Sequence, residues 1–119
     1  MNVDDVKTYC RSLAGANEVE FGHPSNILVF QLLDKKFAYF KTSQPEQWRF
    51  SLRVHPERFL ELTDQPGIKP ARYMGRFHWV TIVDVAAMPA EALRELINVS
   101  YQKALASLKQ KQRKELNIS

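Results

Sequence analysis

The sequence has little of what secreted, disulfide-bonded or membrane proteins require. Cys10 is the only cysteine, so no internal disulfide can form, and no apolar run approaches the ~20 residues of a membrane helix. The first ten residues, MNVDDVKTYC, contain two acids and no apolar block, which is unlike a secretory signal peptide. These features predict a protein of the reducing cytoplasm with no membrane association.

Residues that carry catalysis are present, but they do not form recognisable motifs. The three histidines, His23, His55 and His78, are isolated from one another, and none has the spacing of a metal-binding pair. The four glycines are too scattered for a phosphate-binding loop, and no serine lies in a nucleophile elbow. The sequence therefore predicts a protein that is not an enzyme and has neither a metal site nor a cofactor.

The length and the charge distribution point to one domain with a basic face. A chain of 119 residues is sufficient for a single domain, residues 1–119, that buries about two-thirds of its unfolded surface. The net charge is +4, but residues 1–34 carry −3 and residues 35–119 carry +7. Such asymmetry favours a polyanionic partner, although a lysine-rich surface can also serve solubility alone.

Apolar residues at helical spacing predict a helix near each end of the chain. Positions 3, 6, 10 and 13 define one face of a helix over Asn2 to Ala14, which makes Cys10 a core residue and not a nucleophile. A longer helix is predicted from Pro89 to about Lys109, with an apolar stripe of Leu93, Leu96, Ile97, Ser100, Ala104, Leu105 and Leu108. The basic tail from about residue 109 is interpreted as a solvated helix end or as an arm that contacts phosphate.

Between the two helices, short apolar runs separated by turn residues predict an antiparallel sheet. The predicted strands are Glu18 to Gly22, Ile27 to Leu33, Lys36 to Thr42, Gln47 to Val54 and Phe77 to Val83. The fourth alternates most clearly, because Trp48, Phe50, Leu52 and Val54 share one face while Arg49, Ser51 and Arg53 share the other. We therefore expect one face of this strand to be buried and the opposite face to be cationic.

The stretch from Pro66 to Asp84 mixes basic and aromatic residues, which could contact phosphate and base together. Within it, Trp79 is expected to share a core-facing side of its strand with Phe77 and Val83. The candidate nucleic-acid contacts are Lys41, Arg49, Arg53, Lys69, Arg72 and Arg76. They would neutralise phosphates, so the predicted DNA binding is only weakly sequence-specific. The alternative hypothesis is a protein- or small-ligand-binding module whose aromatic residues line a groove.

Three short motifs resemble those of the MmcQ/YjbR family. Phe50-Ser51-Leu52-Arg53, followed after two residues by Pro56-Glu57, is similar to the strand-to-helix motif of that family. Two further stretches resemble family motifs. One is Lys69-Pro70-Ala71-Arg72-Tyr73-Met74, which leads to His78-Trp79-Val80-Thr81. The other is Ser100-Tyr101-Gln102-Lys103-Ala104, which is similar to the C-terminal helix of the family. The motifs occur in the right order over nearly the whole chain.

The resemblance implies an α+β fold of the CyaY (bacterial frataxin) type, an antiparallel sheet with the N- and C-terminal helices packed on one face. It also implies the usual description of the family as DNA-binding proteins. Iron binding of the frataxin kind is not expected, because the first 22 residues contain only four carboxylates, at positions 4, 5, 18 and 20.

Overall fold

The centre of the fold is a six-stranded antiparallel sheet, seen in a computed structural model that describes residues 1–118. The strands are β1 (Asn17–Phe21), β2 (Ile27–Leu32), β3 (Lys35–Lys41), β4 (Phe50–Arg53), β5 (Ile68–Pro70) and β6 (Trp79–Ile82). Their spatial order is β1-β2-β3-β4-β6-β5, so only the last two depart from chain order. The predicted antiparallel sheet is confirmed, and β5 adds an edge strand.

In the part of the chain that the structure describes, four α-helices accompany the sheet: α1 (Val3–Ser12), α2 (Phe59–Thr63) after a 3₁₀ turn at Pro56–Arg58, α3 (Ala90–Ala106) and α4 (Gln110–Glu115). The start of α1 is fixed by a capping box, in which the Asn2 side chain accepts from the Asp5 N–H at 2.8 Å. The Asp5 carboxylate accepts in turn from the Asn2 N–H at 3.0 Å. Within residues 1–118, no helix is long and apolar enough to cross a membrane.

Helices α1 and α3 pack on the same face of the sheet, as predicted. The Tyr9 hydroxyl donates to Asn98 Oδ1 at 2.7 Å, and the Tyr101 hydroxyl donates to the Ala14 carbonyl at 2.6 Å. Cys10 belongs to the common core and is fully buried. Burial disfavours the thiolate and raises the pKa of Cys10 to about 12, which agrees with a packing role.

The basic tail is a folded segment. The predicted long helix ends at Ala106, and α4 turns back so that the Arg113 guanidinium donates to the Leu105 carbonyl at 2.9 Å. Leu116 and Ile118 then pack against the core. A Cβ at Gly15 would lie 2.6 Å from Ile118 Cδ1, so this close approach needs glycine. The segment is thus neither a fraying helix end nor a free arm.

Two predicted strands begin later than expected, because a residue with positive φ precedes each. Trp48 has a φ of 67°, and the backbone turns there before β4 begins at Phe50. Its ring still packs on the core, 6.0 Å from the Phe40 ring between centroids. His78, with a φ of 67°, ends a 3₁₀ turn at Gly75–Phe77 before β6 begins. Phe77 is therefore exposed and does not share a strand face with Trp79.

Candidate nucleic-acid interface

The face of the sheet opposite α1 and α3 carries a different set of side chains, and we call it the open face. Successive strand residues point to opposite sides, so cross-strand partners share a face. Leu52 and its partner Val80 lie in the core under the helices, whereas the neighbouring pair Ser51 and Thr81 lies on the open face. One row of partners crosses this face: Val19, Val29, Tyr39, Ser51, Thr81 and Lys69.

A pocket of about 790 Å³, the concave pocket, lies over the open face. Its floor is partly aromatic, because the rings of Tyr39 and Trp79 stack with centroids 5.7 Å apart and planes 28° apart. Trp79 is buried, but it lies on the open face, so the predicted core-facing position is wrong. The rest of the floor is hydroxylic, since Ser51 Oγ and Thr81 Oγ1 form a hydrogen bond of 2.7 Å. Trp79 and Ser51 are buried, whereas Tyr39 and Thr81 are half-buried, so the floor can present the Tyr39 ring and the Thr81 hydroxyl to a ligand.

The walls of the concave pocket are strongly basic. Seven cations and two acids line it, a formal charge of +5: Lys35, Lys36, Lys41, Arg49, Arg53, Arg72, Lys103, Asp34 and Glu46. The whole chain has a net charge of only +4, so its excess positive charge is concentrated here. A cleft lined by one sign of charge raises the local concentration of oppositely charged ligands. The arrangement favours an anionic occupant.

The structure brings four of the six predicted contact residues into the concave pocket: Lys41, Arg49, Arg53 and Arg72. Lys69 is exposed on the edge strand β5, on the open face but outside the pocket lining. Arg76 lies in the 3₁₀ turn before β6, where its guanidinium sits 4.7 Å from the centre of the Phe77 ring. These two cations can extend a binding surface, but they do not line its centre.

Glu46 is an acidic residue of the pocket that sequence reasoning missed. Its Oε2 lies 3.3 Å from Arg49 Nη1 and 3.9 Å from Arg72 Nη2, so one carboxylate contacts two pocket cations. Pairs with this much solvent contact contribute only about 0–1 kcal/mol, so an incoming anion can replace the carboxylate. Glu46 lies in a loop, and the turn signals around it in the sequence gave no indication of this contact.

Ser100 determines how the pocket continues toward α3. The β3–β4 ladder ends at the Ala38–Leu52 pair, and beyond it the Ser100 hydroxyl enters between the separating strands. That hydroxyl donates to the Phe37 carbonyl and accepts from the Arg53 N–H, the latter at 3.0 Å. Lys103, about one turn farther along α3, also lines the pocket. The sequence placed Ser100 on the apolar stripe and did not reveal this bridge.

Ser100→Ala is expected to lower the free energy of unfolding by about 1–3 kcal/mol, because it leaves a buried carbonyl and a buried N–H without their partner. Urea denaturation measures the change. Ser25→Ala is the matched control, since Ser25 is exposed in the turn between β1 and β2 and its change should stay within about 0.5 kcal/mol. Equal midpoints for both variants would show that the bridge does not stabilise the fold.

Metal ligands are not clustered in the part of the chain that the structure describes. No group of three or more His, Cys, Asp or Glu residues there could hold a metal ion. The absence of tight iron binding stays a prediction, which titration with ferrous or ferric iron would test.

Fold and pocket together define a small α+β protein with helices on one sheet face and a basic pocket on the other. The chain belongs to the YjbR family, since the family model named YjbR matches residues 11–103. The uncharacterised protein YjbR of Escherichia coli strain K12 is 26% identical over 117 residues, which is 98% of each chain.

Two solved structures from other bacteria are also similar. The crystal structure of Deinococcus radiodurans protein DR2400, with the DUF419 domain, has a TM-score of 0.80 and 33% identity. The match covers 99% of this chain and 89% of that one. A Pseudomonas syringae protein has a TM-score of 0.69 at 23% identity, over 87% of this chain and 99% of that one, and supports the fold alone.

Proposed function

We propose that this protein binds nucleic acid, without catalysing a reaction on it, through the concave pocket and the adjoining open face. The observation that carries the proposal is the charge of +5 around a floor of aromatic rings and hydroxyl groups. Lysine and arginine side chains neutralise phosphates, and aromatic and hydroxyl groups can contact bases. Because phosphate contacts dominate such a surface, binding should be weakly sequence-specific and strongly salt-dependent.

The composition of the pocket supports a binding role over a catalytic one. Among residues 1–118, those that line it include no histidine or cysteine, and the hydroxyls of Ser51 and Thr81 bond to each other. A nucleophilic mechanism would need a base within reach of one of these hydroxyls, whereas the Glu46 carboxylate contacts Arg49 and Arg72. The lone buried thiol of Cys10 fits a reducing compartment, so we further propose that the protein acts in the cytoplasm.

A small anionic ligand is the competing occupant. The pocket volume of about 790 Å³ lies inside the range of roughly 300–1,000 Å³ that is usual for small-molecule sites. Such a ligand would depend on the same cations, but it would release few counterions. The salt dependence of binding therefore separates the two functions.

The test is fluorescence anisotropy with a labelled random-sequence DNA, single-stranded and duplex, across a salt series. If the four predicted pocket cations all contact phosphate, the slope of log K against log salt on the single strand should be about −3. Absence of binding to both DNA forms at low salt would overturn the proposal and leave the small-ligand or protein-binding module.

Glu46→Gln is expected to increase the affinity for DNA by about two- to fivefold. The change removes the ion pairs of the Glu46 carboxylate with Arg49 and Arg72, so both guanidinium groups can bind phosphate without first losing that partner. The control is Glu20→Gln, which makes the same change of net charge on the exposed strand β1, outside the pocket. The same anisotropy titration measures both variants. An equal gain for both would mean that net charge, and not the pocket, governs binding.

A further inference from the structure

Tyr73 is an aromatic side chain that folding does not explain. It is 88% exposed, although burial of an aromatic ring is strongly favourable. Its φ of 66° puts a bulky residue in the left-handed region, where glycine is usual. Exposed, strained positions of this kind cluster at binding sites. The Ala71 carbonyl accepts from the Met74 N–H at 3.2 Å, and this turn gives Tyr73 its positive φ. The turn thus holds the ring in solvent, and a ligand contact would account for its exposure.

Tyr73 stands at the mouth of the concave pocket. Its neighbours Arg72 and Met74 line the pocket with it, and Arg72 reaches across to Glu46. The segment therefore places a free ring beside a cation at the entrance, above the floor formed by Tyr39 and Trp79. A flat group that enters the pocket would meet the Tyr73 ring at the rim, while an attached phosphate would meet Arg72.

The size of the pocket decides which form of nucleic acid fits. A volume of about 790 Å³ can admit an unpaired nucleotide, but a duplex is too large to enter it. In a duplex the bases are stacked on one another, so their faces are not available to Tyr73. In a single strand each base can leave the stack and lie against an aromatic side chain while the backbone follows the cations.

We infer that the preferred ligand is single-stranded nucleic acid, with an unpaired base stacked on Tyr73 and its phosphates held by Arg72 and the neighbouring pocket cations. The inference rests on the proposed function, because it specifies which nucleic acid the same site binds. Every base has a π-face, so the preference is for single strands and not for a sequence.

The experiment compares three fluorescent probes of equal length by anisotropy: oligothymidylate, an abasic oligomer with the same phosphates, and a duplex. Oligothymidylate should bind about 5- to 150-fold more tightly than the abasic oligomer, the range that stacking of one base provides. It should also bind more tightly than the duplex. Tyr73→Ala should remove the advantage over the abasic probe, and Tyr73→Phe should retain it.

Phe77→Ala is the control, since Phe77 is 46% exposed but lies outside the pocket lining. The affinity of this variant for oligothymidylate should equal that of the parent protein. Thermal melting shows whether each variant is folded. Equal binding of the three probes, or an unchanged affinity of Tyr73→Ala for oligothymidylate, overturns the inference and leaves phosphate binding intact. Absence of binding to every probe overturns the proposed function itself. Free thymidine monophosphate, if it competes at equal nucleotide concentration, would show a small-ligand site and also overturn the inference.

Discussion

Ile97→Ala should lower the free energy of unfolding by about 2–5 kcal/mol, the range for large-to-small changes in a packed core. Ile97 is 0% exposed and lies in the core that α1 and α3 form over the sheet, together with Cys10 and Leu93. Truncation removes buried methyl groups and leaves a cavity that neighbours on two helices and the sheet cannot all fill. Urea unfolding followed by circular dichroism measures the loss.

Leu60→Ala provides the control for this prediction. Leu60 is also a large apolar residue on a helix, but its side chain is 80% exposed, so its replacement should change the stability by no more than about 0.5 kcal/mol. Equal losses in the two variants would contradict the packing of both terminal helices on one sheet face.

The parts of the fold that follow from local periodicity could be predicted from the sequence. The apolar positions of α1 and α3 repeat at helical spacing, and the alternation from Phe50 to Arg53 assigned each side chain to its correct face. The late starts of β4 and β6 could not be predicted from the sequence, because Trp48 and His78 adopt a positive φ, which is usually signalled by glycine. The return of α4 depends on Leu116 and Ile118, too few residues to show a period.

The sequence could assign to one face only those residues of the candidate site that lie on a single strand, where their spacing places them together. Arg49 and Arg53 were assigned to one face from their spacing, and both line the pocket. Lys103 and Glu46 come from a distant helix and a loop, so only tertiary packing brings them beside these arginines. Residues that converge from separate elements have no fixed spacing in the sequence, and no pattern search of one chain can find them.

The double variant Arg53→Glu with Arg72→Glu should bind DNA about 10²- to 10⁴-fold more weakly than the parent, if each arginine makes one charge-assisted hydrogen bond of about 1.5–3 kcal/mol with phosphate. Both side chains line the concave pocket and both are exposed. Their replacement therefore removes little core packing, and the melting temperature should hardly change. Anisotropy titrations with single-stranded and duplex DNA at low salt measure the loss.

The matched control is Lys111→Glu with Lys114→Glu, which removes two exposed cations of α4, away from the open face and outside the pocket lining. Each double variant takes the net charge from +4 to 0, so long-range attraction for a polyanion falls by a similar amount in both. Any additional loss in the first variant then reports direct contacts in the pocket. If the two variants lose the same affinity, net charge alone accounts for binding, and the concave pocket is not where the phosphates lie.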